Sequence, residues 1–180
     1  GKSMNIFVLN GSPRKNGNTA RLVQSFAKGA EEVGHTVKIE AVAQKQIHGC
    51  TACEYCRTKG DGFCIQKDDM QAIYSEILWA DMLVLASPIY HYTMTGQIQS
   101  ALQRTYCLGQ LTHLKKTALI LSSGAPDMYD AVKTQYQGLV DWWGVENAGI
   151  FAVHGRMQSH AFNNTSEQWL EQLYQFGQSL

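Results

Sequence analysis

Five short apolar runs divide the chain, and stretches with helical spacing separate them. Ile6–Leu9 is rich in β-branched and aromatic residues and stops at turn formers, so it reads as a buried strand. Thr36–Ala41 alternates after Gly34, a helix C-cap residue, and reads as the second strand. Met82–Ala86 is continuously apolar, as a central parallel strand covered on both faces must be. Thr117–Leu121 and Val145–Val153 supply the fourth and fifth strands, the last interrupted by Asn147 and Gly149. Between the strands, Leu22, Val23, Phe26, Ala27, Ala30 and Val33 recur at helical spacing from about Thr19 onward. Asp68-Asp69 supplies a cap and a first-turn acid for a helix whose stripe is Met70, Ile73, Ile77 and Leu78. A helix spans about Gln97–Leu108. Another follows Pro126 with Met128, Ala131, Val132, Tyr136 and Leu139, and closes near Gly144. Ser166 caps a last helix that turns Trp169, Leu170, Leu173 and Phe176 inward.

Strict alternation of strand and helix predicts an α/β fold: a parallel sheet with helices on both faces, in three layers. Right-handed crossovers make it doubly wound, and five strands suit the flavodoxin-like order 2-1-3-4-5. Ligands of such sheets bind beyond the carboxyl ends of the strands, at the switch point between strands one and three. Three strand-end segments meet there: Ser12–Thr19, Ser87-Pro88 and Ser122-Ser123-Gly124.

Composition narrows the classes. With 180 residues the chain fits one domain, 1–180, without repeats or linkers. Fifteen basic residues balance fifteen acidic ones, so nothing points to nucleic acid or an anionic membrane surface. No apolar run reaches membrane-spanning length or has the form of a signal peptide, which makes a cytoplasmic location the expectation. In that reducing setting, clustered cysteines point to metal or redox chemistry rather than disulfides. Four of the five lie between Cys50 and Cys64, in an excursion at about 45–66 that is too long for a bare connector. Cys107 stands alone in a helical stretch and reads as a small core residue.

The first strand-end loop carries the first chemical signal. A strand, then Asn10–Thr19 with two Gly, three Asn, Ser, Thr and two cations, then a helix N-terminus make an anion site. Ser12, Asn18 and Thr19 can donate from side chains, and Arg14 through a charge-assisted bond. The loop is neither a Walker A nor a dinucleotide fingerprint: five residues part Gly11 from Gly17, and Asn18 stands where Lys is needed. A turn of Gly and Asn chosen for geometry alone is the competing reading. After the third strand, Ser87-Pro88-Ile89-Tyr90-His91-Tyr92-Thr93-Met94 can give a flat ring an apolar platform with backbone polar groups at its rim. Ordinary core packing is the alternative for these aromatics. His91 reads as a loop histidine without a chemical task. His154 and His160 flank Arg156 without metal-ligand spacing, and Trp142-Trp143 read as packing residues.

The loop Gly11–Thr19, the Ser-Pro-Ile-Tyr of residues 87–90 and the Asp-Asp-Met of residues 68–70 together resemble the NADPH-dependent FMN reductase family, over roughly residues 4–155. That resemblance implies FMN held by Ser12, Arg14, Asn16, Asn18, Thr19, Pro88, Ile89, Tyr90, Met94, Ser123 and Gly124. It implies hydride taken from NAD(P)H, electrons passed to a small-molecule acceptor or redox protein, and no named catalytic acid or base. It also implies a homodimer or dimer of dimers, with the cysteine excursion and the loop of residues 90–96 near the partner subunit. Gln99 and Gln103 depart from the Lys and Asp that family members often carry nearby.

Cys50-x2-Cys53-x2-Cys56-x7-Cys64 is the second signal, since thiolates at three-residue steps can converge on one centre. The first three spacings match a ferredoxin run, while the last gap is longer and no Pro follows Cys64. Iron–sulfur flavoproteins, a branch resembling this family, carry a compact four-cysteine motif here. By that resemblance, Cys50, Cys53, Cys56 and Cys64 hold a [4Fe–4S] cluster and the protein is an electron carrier with a ferredoxin-like partner. Zinc and free thiols stay open as alternatives.

Overall fold

A computed structural model describes residues 1–155 and 165–180. Five strands, β1 (Asn5–Asn10), β2 (Thr36–Ala41), β3 (Met82–Pro88), β4 (Lys116–Ser123) and β5 (Glu146–His154), alternate with five helices. The helices are α1 (Asn18–Glu32), α2 (Met70–Trp79), α3 (Gly96–Arg104), α4 (Asp130–Trp143) and α5 (Glu167–Ser179). The strands form one sheet in the order β2-β1-β3-β4-β5, parallel at every pairing, which is the predicted flavodoxin-like order.

The sheet separates two cores, and the period-2 alternation of each central strand assigns its side chains. Phe7 and Leu9 of β1 and Leu83 and Leu85 of β3 join α2, α3 and α4 on one face. Ile6, Val8, Met82, Val84 and Ala86 join α1 and α5 on the other. The break expected at Asn147 and Gly149 is a bulge, where Thr117 pairs with Asn147 and Ala118 with Gly149. The Asn147 side-chain Oδ1 accepts from the Gly149 N–H at 3.1 Å and the Tyr136 hydroxyl at 2.9 Å, which ties the bulge to α4. Burial pushes the Tyr136 phenol up to about 12. On the other face, α1 and α5 touch along Gly29 and Gly177. A Cβ at either would collide with the backbone of the opposite helix, so the crossing needs glycine at both.

Several local expectations shift. The α-helical part of the predicted 97–108 helix ends at Arg104, and Thr105–Leu108 tightens into a 3₁₀ turn. Leu78 of the predicted α2 stripe is exposed, as are Ala131 and, at 54%, Trp142; Trp143 alone of that pair is core. Asp69 and Ser166 occupy N-cap positions without a side-chain capping bond. The Asp68 carboxylate caps α2 instead, accepting from the Met70 N–H at 3.0 Å. Cys107 is buried, as expected.

Candidate flavin crevice and thiol cavity

The loop after β1 stays pinned to its neighbours as it leaves the sheet. The Gly11 N–H donates to the Ala86 carbonyl at 2.8 Å, and the Thr95 hydroxyl donates to the Gly11 carbonyl at 2.7 Å. A Cβ at Gly11 would lie 2.7 Å from Thr95 Oγ1 and 2.8 Å from Ile98 Cβ, so only glycine lets the loop rest on the start of α3. The Asn10 side chain accepts from the Ser12 N–H at 2.9 Å, and Ser12 Oγ accepts from the Arg14 N–H at 3.2 Å. Ser12 is buried, while Arg14 and Asn16 stand exposed. Gly17 is the N-cap of α1 and brings no side chain to close the first turn, which also holds no acid. That turn therefore keeps the anion-attracting character of a helix N-terminus.

Asn18 and Thr19, both expected at the anion, also fasten other segments. The Asn18 side-chain Oδ1 accepts from the Thr165 N–H at 3.1 Å, and the Thr19 hydroxyl pairs with the Ser122 hydroxyl at 2.8 Å. On the β2 side of the loop, a cavity of about 200 Å³ is lined by Arg14, Lys15, Gln24, Gln44 and Ile39 among others.

The second wall follows β3. Ser87 Oγ accepts from the Thr95 N–H at 3.0 Å, and the Ile89 N–H donates to the Ser122 carbonyl at 2.7 Å. The chain then reverses through a turn closed by mutual backbone bonds between Tyr90 and Thr93. Its two central residues, His91 (φ 50°) and Tyr92 (φ 72°), hold left-handed backbone despite carrying side chains. Such residues cost on the order of 1–3 kcal/mol each and are found where the surroundings over-determine them. Tyr90 is 40% and Tyr92 58% exposed, whereas Ile89 and Met94 are buried beneath them. Pro88 is half-buried at the strand end.

The third wall follows β4. The Ser123 hydroxyl donates to the Ala125 carbonyl at 2.6 Å and pairs with the Tyr129 hydroxyl at 2.6 Å, so it serves its own loop; Gly124 is exposed beside it. Burial pushes the Tyr129 phenol up, and its bond to Ser123 only partly offsets this.

The bonds of Gly11 to Ala86 and Thr95, and of Ser122 to Thr19 and Ile89, bring the three segments together beyond the strand ends. Of the linking residues, Ser87 and Ser122 belong to the wall segments expected from the sequence, whereas Thr95 was not among the expected site residues. Thr95 carried a legible sign, a threonine immediately ahead of a helix, where it caps α3 through the Ile98 N–H. His154 ends β5 with its ring against the Gly155 carbonyl, whereas Arg156 and His160 lie outside the described residues.

The cysteine excursion occupies the chain between β2 and α2 with no strand of its own. Cys50, Cys53, Cys56 and Cys64 are free thiols, the first two exposed and the last two half-buried. All four line one cavity, together with Cys107, Gln103, Arg104 and Tyr106 of the segment 103–107. Left-handed residues at Ala52 and Glu54 fold the chain back between successive cysteines, and the Ala52 N–H donates to Cys50 Sγ at 3.4 Å. Among the described residues, no three of His, Cys, Asp and Glu come together as a group able to hold a single metal ion. Gln99 bonds across to Gln135 at 2.6 Å, and Gln103 accepts from the Cys50 N–H at 3.3 Å. Both positions that depart from the expected Lys and Asp are therefore occupied with cross-links.

The fold defines a flavodoxin-like α/β protein whose three strand-end segments are joined at the β1/β3 switch point. Residues 4–169 match the model of the NADPH-dependent FMN reductase family, and the chain belongs to that family. It is 37% identical over 101 residues, 56% of this chain and 50% of the relative, to an iron–sulfur flavoprotein of Methanocaldococcus jannaschii. Over 166 residues, 91% of this chain and 85% of the relative, it is 28% identical to the iron–sulfur flavoprotein of Methanosarcina thermophila. The chain spans about half the length of several curated relatives it matches. Among solved structures, an NAD(P)H:quinone oxidoreductase from Methanothermobacter marburgensis shares the fold, with a TM-score of 0.71 over 99% of this chain and 97% of that one at 16% identity. No helix among the described residues is long and apolar enough to cross a membrane.

Proposed function

We propose that this chain is a single-domain, FMN-dependent oxidoreductase that takes hydride from NAD(P)H and passes electrons to a small-molecule or protein acceptor. The observation that carries this reading is the joining of three strand-end segments beside the N-terminus of α1, which has no side-chain cap. FMN, when bound, supplies reversible one- and two-electron chemistry, and the protein's part is to hold and orient it. Ser12, Arg14, Asn16, Asn18 and Thr19 hold the phosphate. Pro88, Ile89, Tyr90 and Met94 form one wall for the ring, and Ser123 and Gly124 the other. The Tyr90–Thr93 turn keeps Tyr90 and Tyr92 at the surface, where a flat acceptor can reach them.

The four-cysteine cavity favours a second reading, in which the protein is an iron–sulfur electron carrier fed by a ferredoxin-like partner. The chemistry of the donor set supports a [4Fe–4S] cluster: four free thiols line one cavity, though they are not drawn together as a metal-holding group, and Arg104, also in its lining, has a buried Nε without a hydrogen-bond partner. A cluster held by these four thiols would supply a one-electron site. In both readings the protein works in the cytoplasm as a homodimer or dimer of dimers.

The test is a visible spectrum of anaerobically purified protein with FMN, iron, sulfide and zinc measured on the same sample. Flavin bands over a broad iron–sulfur absorption, with about four irons per chain, support the cluster. Zinc with no iron overturns it. Prompt bleaching of the flavin by NADPH or NADH supports the reductase. No reaction with either, alongside reduction by ferredoxin, selects the carrier. A colourless sample that takes up no FMN overturns both.

A further inference from the structure

The cysteine excursion has no ladder to hold it, yet its two stems are fastened to one side chain. Arg104, at the end of α3, is 2% exposed. Its Nη1 donates to Asp68 Oδ2 at 2.6 Å and to the His48 carbonyl at 3.0 Å. Its Nη2 donates to Asp68 Oδ1 at 3.1 Å and to the Gln66 carbonyl at 3.3 Å. His48 enters the excursion and Gln66 leaves it, so one guanidinium grips both stems around the segment that bears the cysteines. The Asp68 carboxylate completes the junction by accepting from the His48 N–H at 3.2 Å and the Met70 N–H at 3.0 Å. Beneath, the Tyr74 hydroxyl donates to the Arg104 carbonyl at 2.8 Å and the Cys107 thiol to the same oxygen at 3.6 Å. The fork geometry of arginine is what allows a bidentate carboxylate bond and two carbonyl bonds together; lysine presents a single nitrogen.

A planar cation sealed into a protein satisfies its donors wherever it can. Arg104 uses both terminal nitrogens and leaves Nε buried without a partner, while the residue lines the thiol cavity. A buried N–H left without a partner is a donor still to be satisfied.

We propose that Arg104 is the positioning residue of the thiol cavity. Through Asp68 it locks both stems of the excursion to α3, so that Cys50, Cys53, Cys56 and Cys64 surround one space, and its Nε–H serves the sulfur-rich anion bound there. The second half of this rests on the cluster reading above. The first half does not.

The test compares Arg104→Lys, Arg104→Gln and Asp68→Asn with the native chain, all purified anaerobically. Expected is an iron-to-FMN ratio at least threefold below the native value in Arg104→Gln and Asp68→Asn, with FMN per chain unchanged. Arg104→Lys keeps the charge and loses the fork; it retains part of the iron, and the midpoint potential of its cluster moves lower because an N–H donor to sulfur is gone. Native iron-to-FMN ratios in both Arg104→Gln and Asp68→Asn overturn the brace, and a native potential in Arg104→Lys overturns the role of Nε. Should Arg104→Gln fail to fold, Asp68→Asn, of equal size, decides. If the native protein holds no iron at all, the cluster reading fails by itself. The brace is then read from iodoacetamide alkylation of Cys56 and Cys64: faster labelling in the variants supports it, and native rates overturn it.

Discussion

The flavin crevice and the thiol cavity lie on one scaffold but are held in place by different physics. The crevice is an extension of the sheet. Its three segments leave adjacent parallel strands, and backbone bonds such as Gly11 to Ala86 and Ile89 to Ser122 continue the ladder past the strand ends. The thiol cavity is built away from the sheet, on a segment whose regular structure is two 3₁₀ turns, Val42–Gln44 and Tyr55–Arg57. It is held by side chains reaching for backbone, with one buried ion pair at the centre. A crevice held by many backbone bonds loses little when one contact goes. A loop held by a few side-chain bonds, four of them from one guanidinium, depends on that residue far more.

The largest expected break follows from that dependence. Arg104→Gln leaves the Asp68 carboxylate buried without its counter-charge, which in comparable sites costs about 3–5 kcal/mol. Thermal unfolding of the variant should show this as a drop of several degrees or more. Amide exchange should localise the loosening to residues 46–69, while protection in β1 and β3 stays native. Uniform loss of protection across the sheet would mean that the two regions are not separable.

Thr95→Val tests the other side with a smaller effect. The Thr95 hydroxyl is fully buried, donates to the Gly11 carbonyl and accepts from the Ile98 N–H at 3.4 Å. Valine keeps the shape and strands both partners, at about 1–3 kcal/mol. The loss falls on the loop proposed to hold the FMN phosphate, so FMN affinity should fall about tenfold or more, as measured by fluorescence titration, with alkylation of the four cysteines unchanged. If the cysteines respond instead, the crevice and cavity share more structure than their bonds suggest.

The same contrast explains what the sequence made legible. The sheet could be read because Met82–Ala86 and its neighbours are buried on both faces and must be apolar throughout. Leu78 and Trp142 were misplaced because periodicity assigns a residue to a face but does not say how far the next helix covers it. Asp68-Asp69 announced a cap, and only the fold shows that the first acid does the capping while the second accepts from the Gln46 N–H at 2.7 Å. The crevice walls were legible as strand ends. Ser122 was legible only as part of its own wall and Thr95 not as a site residue, because the partners through which they join the walls lie on other segments. Arg104 was illegible for the strongest reason: a lone cation in the last turn of a helix ordinarily sits in water, and its partner lies 36 residues away.

Acid separates the two regions most gently. Burial of Asp68 favours its protonated form, but the bonds from Arg104, the Met70 N–H and the His48 N–H together outweigh it and hold the carboxyl below its ordinary value. A group with a folded pKa below its unfolded one, about 3.9 for aspartate, binds fewer protons folded than unfolded between the two. Its stabilisation is therefore fully present above about pH 4, and is lost as the pH falls through the folded pKa. Asn at position 68 cannot titrate, and every other ionisable group is common to both proteins. The difference in urea midpoint between the native chain and Asp68→Asn thus isolates the brace. It should be flat from neutral pH down to about 5 and should narrow as the pH falls below about 4. A gap that stays constant into that range would show that Asp68 holds the loop by shape and hydrogen bonds and not by charge. Arg104 would then matter chiefly as a fork of donors, and Arg104→Lys should prove nearly as damaging as Arg104→Gln.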